Sequence, residues 1–545
     1  MADPALESYE EVLYPSYTHN QTHPDRLATL ATLYGLEAAP VERCRVLDIG
    51  CGDGGNLLPM AFALPESEFV GIDLAGRPIA KGRAIAEALG LKNIELLRLD
   101  LMDVSEGLGQ FDYIIAHGLY SWVGPQVQNK LLAVCRSNLK PQGIAYVSYN
   151  TFPGCHLRLM LREMMLFHVR HLAEPQQQIN QAMALIKFMA GAQTQTDAYA
   201  AFLKEEFEQA VGFSAGHLYH DDLASINSPI YFHQFMDHAA RHGLQFMAEA
   251  DYYEMQDYIY PPEVSAVLSE MAARSIILKE QYLDFLKCRR FRQTLLCHQE
   301  LKLDPIPKAE RLMNLYMASP SRPASGKPNL NARTVEAFRG VREAKVATDY
   351  PLAKAALYRL GEIFPHSLHF TELLTQARGL TKTDEHESAA LGNVEAQDKP
   401  EANDSEQNEA QDEAQALAEI LLHTYASGML ELSVRAPDFV EEASERPVAS
   451  PLARLQIRSD TVVTNMRHIG VEVEDALGRR LLLLLDGTRD RDALLKELAA
   501  LVQSGEASLQ QEGARVTDPQ QVSEILSRGL EENLRKLAKL ALLVA

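Results

Sequence analysis

Apolar and polar positions alternate in blocks along the first 300 or so residues. Five short apolar runs stand out, at residues 45–50 (RVLDIG), 68–74 (EFVGIDL), 93–99 (NIELLRL), 111–116 (FDYIIA) and 143–149 (GIAYVSY). Each reads as a strand, and the first two run into glycine or an acid. Helical periodicity fills several gaps between them, as at residues 77–89 and 126–139. Strands alternating with helices at this spacing predict an α/β fold with a doubly wound, Rossmann-like parallel sheet. Ligands of such sheets bind at the carboxyl ends of the strands.

The pattern changes after Tyr149. Residues 155–225 carry helical patterning and no convincing strand. A helix at 231–242, a short strand at 244–249, one long helix at 263–287 and a strand at 291–299 follow. The order predicts a core at 1–154, a helical insertion at 155–228 and a region at 229–301 that completes the sheet. Residues 302–331, rich in Pro and Ser, read as a connector. Two α+β, winged-helix-like modules are expected beyond it, at 332–440 and 450–545. The first has a strand at VEAFRG and helices at 352–363, 370–377 and 414–426; the second has a strand at 480–485 and helices at 490–503 and 522–540.

A chain of 545 residues is too long for one core. Its 46% apolar and 23% charged residues are ordinary for a soluble protein. The longest apolar runs, at 540–545 and 481–485, fall far short of the roughly 20 residues that span a bilayer, so no membrane insertion is expected. The start of the chain (Met1, Asp3, Glu7) lacks the features of a signal peptide. Six cysteines without a C-x-x-C pair point to neither a disulfide framework nor a zinc site. A reduced, cytoplasmic protein is expected. The net charge of −22 argues against a nucleic-acid partner. That charge is unevenly placed, however. Residues 384–413 hold eleven acids against the single base Lys399. Such a segment has too little apolar surface to offset its ordering entropy and is expected to be a disordered linker, with an acidic docking segment as the sharper alternative.

The first strand enters Asp48-Ile-Gly50-Cys51-Gly52-Asp-Gly54-Gly55, a G-x-G-x-x-G loop that alone is a weak nucleotide signal. Its surroundings narrow the ligand. Asp48 precedes the first glycine by two, Asp73 ends the second strand, and Asp100 ends the third. A dinucleotide pyrophosphate would be repelled by three acids. A cationic, adenosine-bearing ligand, S-adenosylmethionine, would be favoured by them.

VLDIGCGDGGNLLPMA (46–61) with FVGIDLA resembles the class I S-adenosylmethionine-dependent methyltransferases. THPDRL (22–27), FDYIIAHGLYSWV (111–123), YVSYNTFPG (146–154), LYHDDLASINSPIYFHQF (218–235) and QYLDFLKCRRFRQTLLCH (281–298) are similar to those that carry a methyltransferase regulatory domain. The characterised group so identified is the rickettsial-type bacterial protein lysine methyltransferases, which act on outer-membrane proteins. The resemblance implies a protein substrate and places Asp48, Gly50, Cys51, Gly52 and Asn56 at the methionine end of the cofactor. It places Asp73 and Leu74 at the ribose, Asp100 and Leu101 at the adenine, and Ala116, His117 and Gly118 beside the donor methyl. Cys155 departs from a position where an aromatic often follows Gly154.

Methyl transfer from a sulfonium is an in-line displacement that needs close alignment and no metal. A lysine acceptor, with an unperturbed pKa of about 10.4, must first lose a proton, which an apolar, aromatic-walled channel promotes. Trp122 and Tyr120, just past the fourth strand, and Asn150, ending the fifth, are the candidate catalytic residues. Tyr149 and Phe152 are further candidates for the wall, and Tyr14 and Tyr17 for a lid. Packing of the core is the competing role for each ring. The D/N-P-P-Y/F signature of base and glutamine methyltransferases is absent; the chain reads His117-Gly-Leu-Tyr120 instead. His217, His220, His233, His238 and His242 invite a metal, but no H-E-x-x-H or cysteine set accompanies them, and none is expected. A small-molecule methyltransferase and a non-catalytic cofactor-binding regulator are the alternative functions. Self-association as a homodimer is compatible with the C-terminal modules.

Overall fold

The apolar runs that end in glycine or an acid assemble into one seven-stranded sheet. In this computed structural model the strands are β1 (Arg45–Ile49), β2 (Glu68–Asp73), β3 (Ile94–Arg98), β4 (Phe111–Ala116), β5 (Leu139–Asn150), β6 (Leu244–Glu249) and β7 (Phe291–His298). Residues 14, 16–212, 215–330, 334–341, 344–389, 404–507, 509–511, 514–516 and 518–545 are described. The spatial order is β3-β2-β1-β4-β5-β7-β6. The first five strands run parallel, and β7 runs antiparallel to both its neighbours. All six residues of β4 are buried, as a central strand covered on both faces requires. The order reverses between β1 and β4, which sets a ligand crevice at the carboxyl ends of these strands.

This sheet belongs to a unit made of Ala38–Asp251 and Asp257–Lys302 with the described residues before Thr18. After β5 come helices Cys155–Val169, Pro175–Gly191 and Ala198–Val211. They share their own core, including Leu161, Met165, Ile186 and Leu203. Buried Glu206 anchors the bundle, paired with Arg158 at 2.7 Å and with Arg290 beside β7. The long helix expected at 263–287 is instead two, Pro262–Arg274 and Ile276–Lys287, separated by Ser275 in extended backbone (φ −165°, ψ 126°). The second helix is held to β7 by Arg292, fully buried between Glu280 (3.1 Å), Asp284 (2.9 Å) and Glu249 (2.6 Å).

The second unit comprises Thr18–Glu37, Tyr252–Gln256 and Leu303–Ala545. Three expectations change here. The connector at 302–331 contributes strand Tyr316–Ala318, the middle of a three-stranded sheet with Leu368–His369 and Glu431–Ser433. Leu312, Leu315 and Met317, buried among the prolines, pull it into the core. The strand expected at 480–485 lies mostly in helix Ala476–Leu484, capped by Asp475, whose carboxylate accepts from Gly478 N. A short leucine run fits either element, and the cap decides it. The acidic linker is shorter than 384–413, because helices Phe370–Ala389 and Asp404–Ala426 take both its ends. Its remainder, 390–403, lies outside the described residues. The C-terminal module packs its own core, including Leu482, Leu494, Leu498, Leu530 and Leu534. Among the described residues, no helix is long and apolar enough to cross a membrane.

Candidate active site

The glycine loop leaves β1 with Gly50, Gly52 and Gly54 all at positive φ (79°, 57° and 75°). A side chain would be strained there, yet a Cβ on Gly52 would meet nothing within 4 Å. The loop therefore presents backbone to an open face. Gly50 N and Cys51 N donate to Ile72 O at 2.8 and 3.1 Å, and Gly52 N donates to Asp73 Oδ2 at 2.9 Å. Ala75 N donates to Asp73 Oδ1 at 2.8 Å. Asp73 thus ties the loop to the end of β2, and its oxygens keep lone pairs for ribose hydroxyls. Burial raises the Asp73 pKa.

Asp48 is 4% exposed at the end of β1. Burial, then the charge of Asp73, push its carboxyl up to about 7 against a hydrogen bond from Asn56. Both opposing influences penalise the charged form, and a cationic ammonium beside it would offset both. The residues present therefore fit S-adenosylmethionine: an acid for its amine, another for its ribose, and a glycine cradle between them. Asp100 Oδ1 accepts from Met102 N at 2.9 Å and so also caps the turn Leu101–Asp103. Leu101 is buried there, while Leu74 is exposed. Cys51 is buried under the loop.

β4 ends in buried Ala116 and is followed by half-buried His117 and Gly118 at φ 65°. Gly118 N donates to Ser148 Oγ at 2.8 Å, and His117 Nδ1 lies 2.9 Å from Tyr146 Oη. A Cβ on Gly50 would lie 3.7 Å from Leu119 Cδ1, so the glycine loop faces this turn.

The expected acceptor wall divides. Trp122 and Phe152 are half-buried, and Phe152 stacks on His156 with centroids 4.1 Å apart. Asn150 is half-buried, with Nδ2 donating to Asn227 Oδ1 at 3.1 Å and its backbone N–H bonded to Ser121 Oγ at 2.8 Å. Tyr120 belongs to the core instead. It is 1% exposed, its Oη is 2.8 Å from His238 Nδ1, and its ring meets Phe235 edge-on. Burial raises its phenol to about 12. Tyr149 is equally enclosed, stacked on Phe235 and bonded to Thr294 Oγ1 at 2.9 Å.

The N-terminal strap reaches the glycine loop. Ser16 Oγ donates to Asp53, Tyr14 Oη reaches Asp221 Oδ2 at 3.5 Å, and Tyr17 stacks on His217. Asp53, which also pairs with Lys81 at 2.7 Å, was not anticipated in this role. The THP motif lies in the other unit. His23 caps helix Pro24–Leu33, and Asp25 accepts from Val434 N and Arg435 N at 2.9 and 3.2 Å. Three of the histidines have hydrogen-bond partners elsewhere, His233 with Gln281, His242 with Asn129 and His238 with Tyr120, although the His238 and His242 rings lie 5.5 Å apart. Among the described residues no His, Cys, Asp and Glu group of three or more is placed to hold a metal.

Three family models match this chain: a methyltransferase domain at 47–145, a predicted methyltransferase regulatory domain at 214–298 and a PKMT C-terminal winged helix domain at 445–542. The uncharacterized protein RP789 of Rickettsia prowazekii is 32% identical over 553 residues, covering 98% of this chain and 93% of the relative. The structure of PKMT2 from Rickettsia typhi in complex with AdoHcy superposes with a TM-score of 0.83 at 30% identity, covering 98% of this chain and 100% of that one. A shorter R. prowazekii protein, RP028, is 40% identical over 235 residues, 43% of this chain and 94% of its own. The chain belongs to the family of these rickettsial proteins, class I S-adenosylmethionine-dependent methyltransferases with a regulatory domain and a C-terminal winged helix. It is an S-adenosylmethionine-dependent methyltransferase.

Proposed function

We propose that the enzyme N-methylates lysine side chains of a protein substrate by direct in-line transfer. One observation carries this reading: the likeness to PKMT2 runs over 98% of the chain, including the C-terminal half that a small metabolite would not need. Bound S-adenosylmethionine supplies an electrophilic methyl carbon on a sulfonium. In this reading Asp48, with Asn56 beside it, holds the cofactor ammonium, and Gly50, Cys51 and Gly52 follow its backbone. Asp73 and Leu74 take the ribose, Asp100 and Leu101 border the adenine, and Ala116, His117 and Gly118 flank the methyl. Trp122, Phe152 and Asn150 receive the acceptor. Aromatic faces hold an ammonium before deprotonation and exclude water after it. In this reading the acceptor is an outer-membrane protein and the enzyme works in the cytoplasm.

Transfer of tritiated methyl into a cell-envelope extract tests this. Label is expected in protease-sensitive material that yields methyl-lysine on hydrolysis. A small, protease-resistant labelled product would reject the protein acceptor.

A further inference from the structure

β7 begins where β5 ends. Phe291, its first residue, pairs with Asn150, the last residue of β5. The parallel strands present their carboxyl ends along that edge, so Phe291 stands on the ligand side of the sheet. Residues directly opposite in an antiparallel pair point to the same face, and side chains alternate between faces along each strand. Tyr146, Ser148 and Asn150 of β5 therefore share one face with Phe291 and Gln293 of β7, while Tyr149 and Arg292 share the other. The contacts agree with this parity. Tyr146 Oη donates to Gln293 Oε1 at 2.8 Å on the first face. Tyr149 stacks on Phe235 on the second, where Arg292 is fully buried.

The turn after β4 lies against the first face. Gly118 N donates to Ser148 Oγ at 2.8 Å, and His117 Nδ1 is 2.9 Å from Tyr146 Oη. The His117 ring also meets Phe291 edge-on, with centroids 6.0 Å apart and planes at 73°. Phe291 thus lies beside His117, assigned to the donor methyl, and beside Asn150, assigned to the acceptor. Its ring is 38% exposed although β7 is an interior strand. Tyr120 and Tyr149, the rings that chain order places nearest, both pack on Phe235 instead. The aromatic on the open face comes from β7, far along the chain.

We propose that Phe291 is a wall of the acceptor pocket, where its ring packs along the alkyl stem of the lysine and holds the ε-ammonium by a cation–π contact. This rests on the lysine reading of the site. The ring makes and breaks no bond; it selects a side chain with an apolar stem and a cationic head. An aromatic face attracts an N-methylated ammonium as it does the unmethylated one. The same wall therefore serves the incoming amine and its methylated product.

The test uses the full chain. Initial rates of tritiated methyl-lysine formation are measured against the concentration of an envelope extract from cells lacking the enzyme. Phe291→Leu keeps an apolar side chain and removes the π face. Its apparent KM should rise about three- to tenfold, with kcat within about twofold of wild type. Phe291→Tyr keeps the ring and should hold KM within about twofold of wild type. Both variants should bind S-adenosylhomocysteine as the wild type does, by calorimetry, and keep its melting temperature. A Phe291→Leu enzyme with wild-type KM would overturn the proposal, as would a KM raised equally in Phe291→Tyr. Weakened S-adenosylhomocysteine binding in Phe291→Leu would overturn it too, since the ring would then support the turn after β4 and not the acceptor. Wild-type enzyme whose labelled product yields no methyl-lysine defeats the lysine reading, and the proposal with it; that failure is read on the wild type alone, before either variant is compared.

Discussion

Asp73 Oδ2 accepts the backbone N–H of Gly52 at 2.9 Å, so the acid at the end of β2 holds the loop that leaves β1. One carboxylate therefore shapes the cradle and, in the proposed reading, also takes the ribose. Asp73→Ala should remove both contacts. With a hydrogen bond to a charged group worth about 1.5–3 kcal/mol, S-adenosylhomocysteine should bind about 10- to 100-fold more weakly. Calorimetric titration measures this, and unchanged affinity would remove Asp73 from the site.

Trp122 and Tyr120 are two residues apart and should behave oppositely. Trp122→Ala should lower kcat at least tenfold with cofactor affinity nearly unchanged, because the half-buried ring is assigned to the acceptor. Tyr120→Phe removes a hydroxyl already bonded to His238. It should cost about 1 kcal/mol of stability and leave kcat within about twofold. Steady-state kinetics with thermal melts separate the two. Full activity in Trp122→Ala would return the tryptophan to the core.

The THP motif predicts an unusual acid response. Burial lowers the His23 pKa to about 4, and burial with nearby histidines lowers that of His468, whose ring centroid is 5.2 Å away, well below 6.5. Their unfolded forms bind protons that the folded forms refuse, so stability falls as pH drops through 6.5 toward 4. Burial raises the Asp25 pKa to about 7, so its folded form binds a proton that the unfolded form releases, and this slope has the opposite sign. Asp25→Asn keeps an oxygen for Val434 N and Arg435 N and removes the opposing slope. Between pH 6 and 4.5 the variant should lose stability faster than wild type, by up to about 1.4 kcal/mol per pH unit. Partial exposure of both side chains makes this an upper limit. Superimposable melting-temperature profiles would contradict the assignment.

Much of the catalytic fold was legible in the sequence. The runs at β1 to β5 end in residues the sheet must place at one edge, so order and spacing suffice to reach the loop, Asp48 and Asp73. The break at Ser275 was hidden because apolar periodicity continues through it. Leu481 to Leu485 satisfied strand and helix equally, and only the Asp475 cap distinguishes them. Tyr120 shows the limit for the site. Sequence places it just past β4 but cannot show that its ring turns into Phe235 while Trp122 stays partly open. Contacts from Asp251 through Gln293 and Tyr146 to His117 join residues up to 176 positions apart, just past β6 and β4 and on β7 and β5, which no local pattern reveals.

In the proposed site Asp48 receives the cationic end of the cofactor. Its carboxyl sits at about 7 without it, so binding the ammonium must expel a proton at or below neutral pH. S-adenosylmethionine affinity, titrated calorimetrically from pH 5 to 8.5 in buffers of different ionisation enthalpy, tests this directly. Wild-type affinity should be highest near pH 7.5 and fall about tenfold per unit below 6.5, with up to one proton released per ligand. Asp48→Asn should bind weakly at every pH with no proton release. Wild-type affinity independent of pH, or an Asp48→Asn protein that binds as tightly as wild type, would contradict the account.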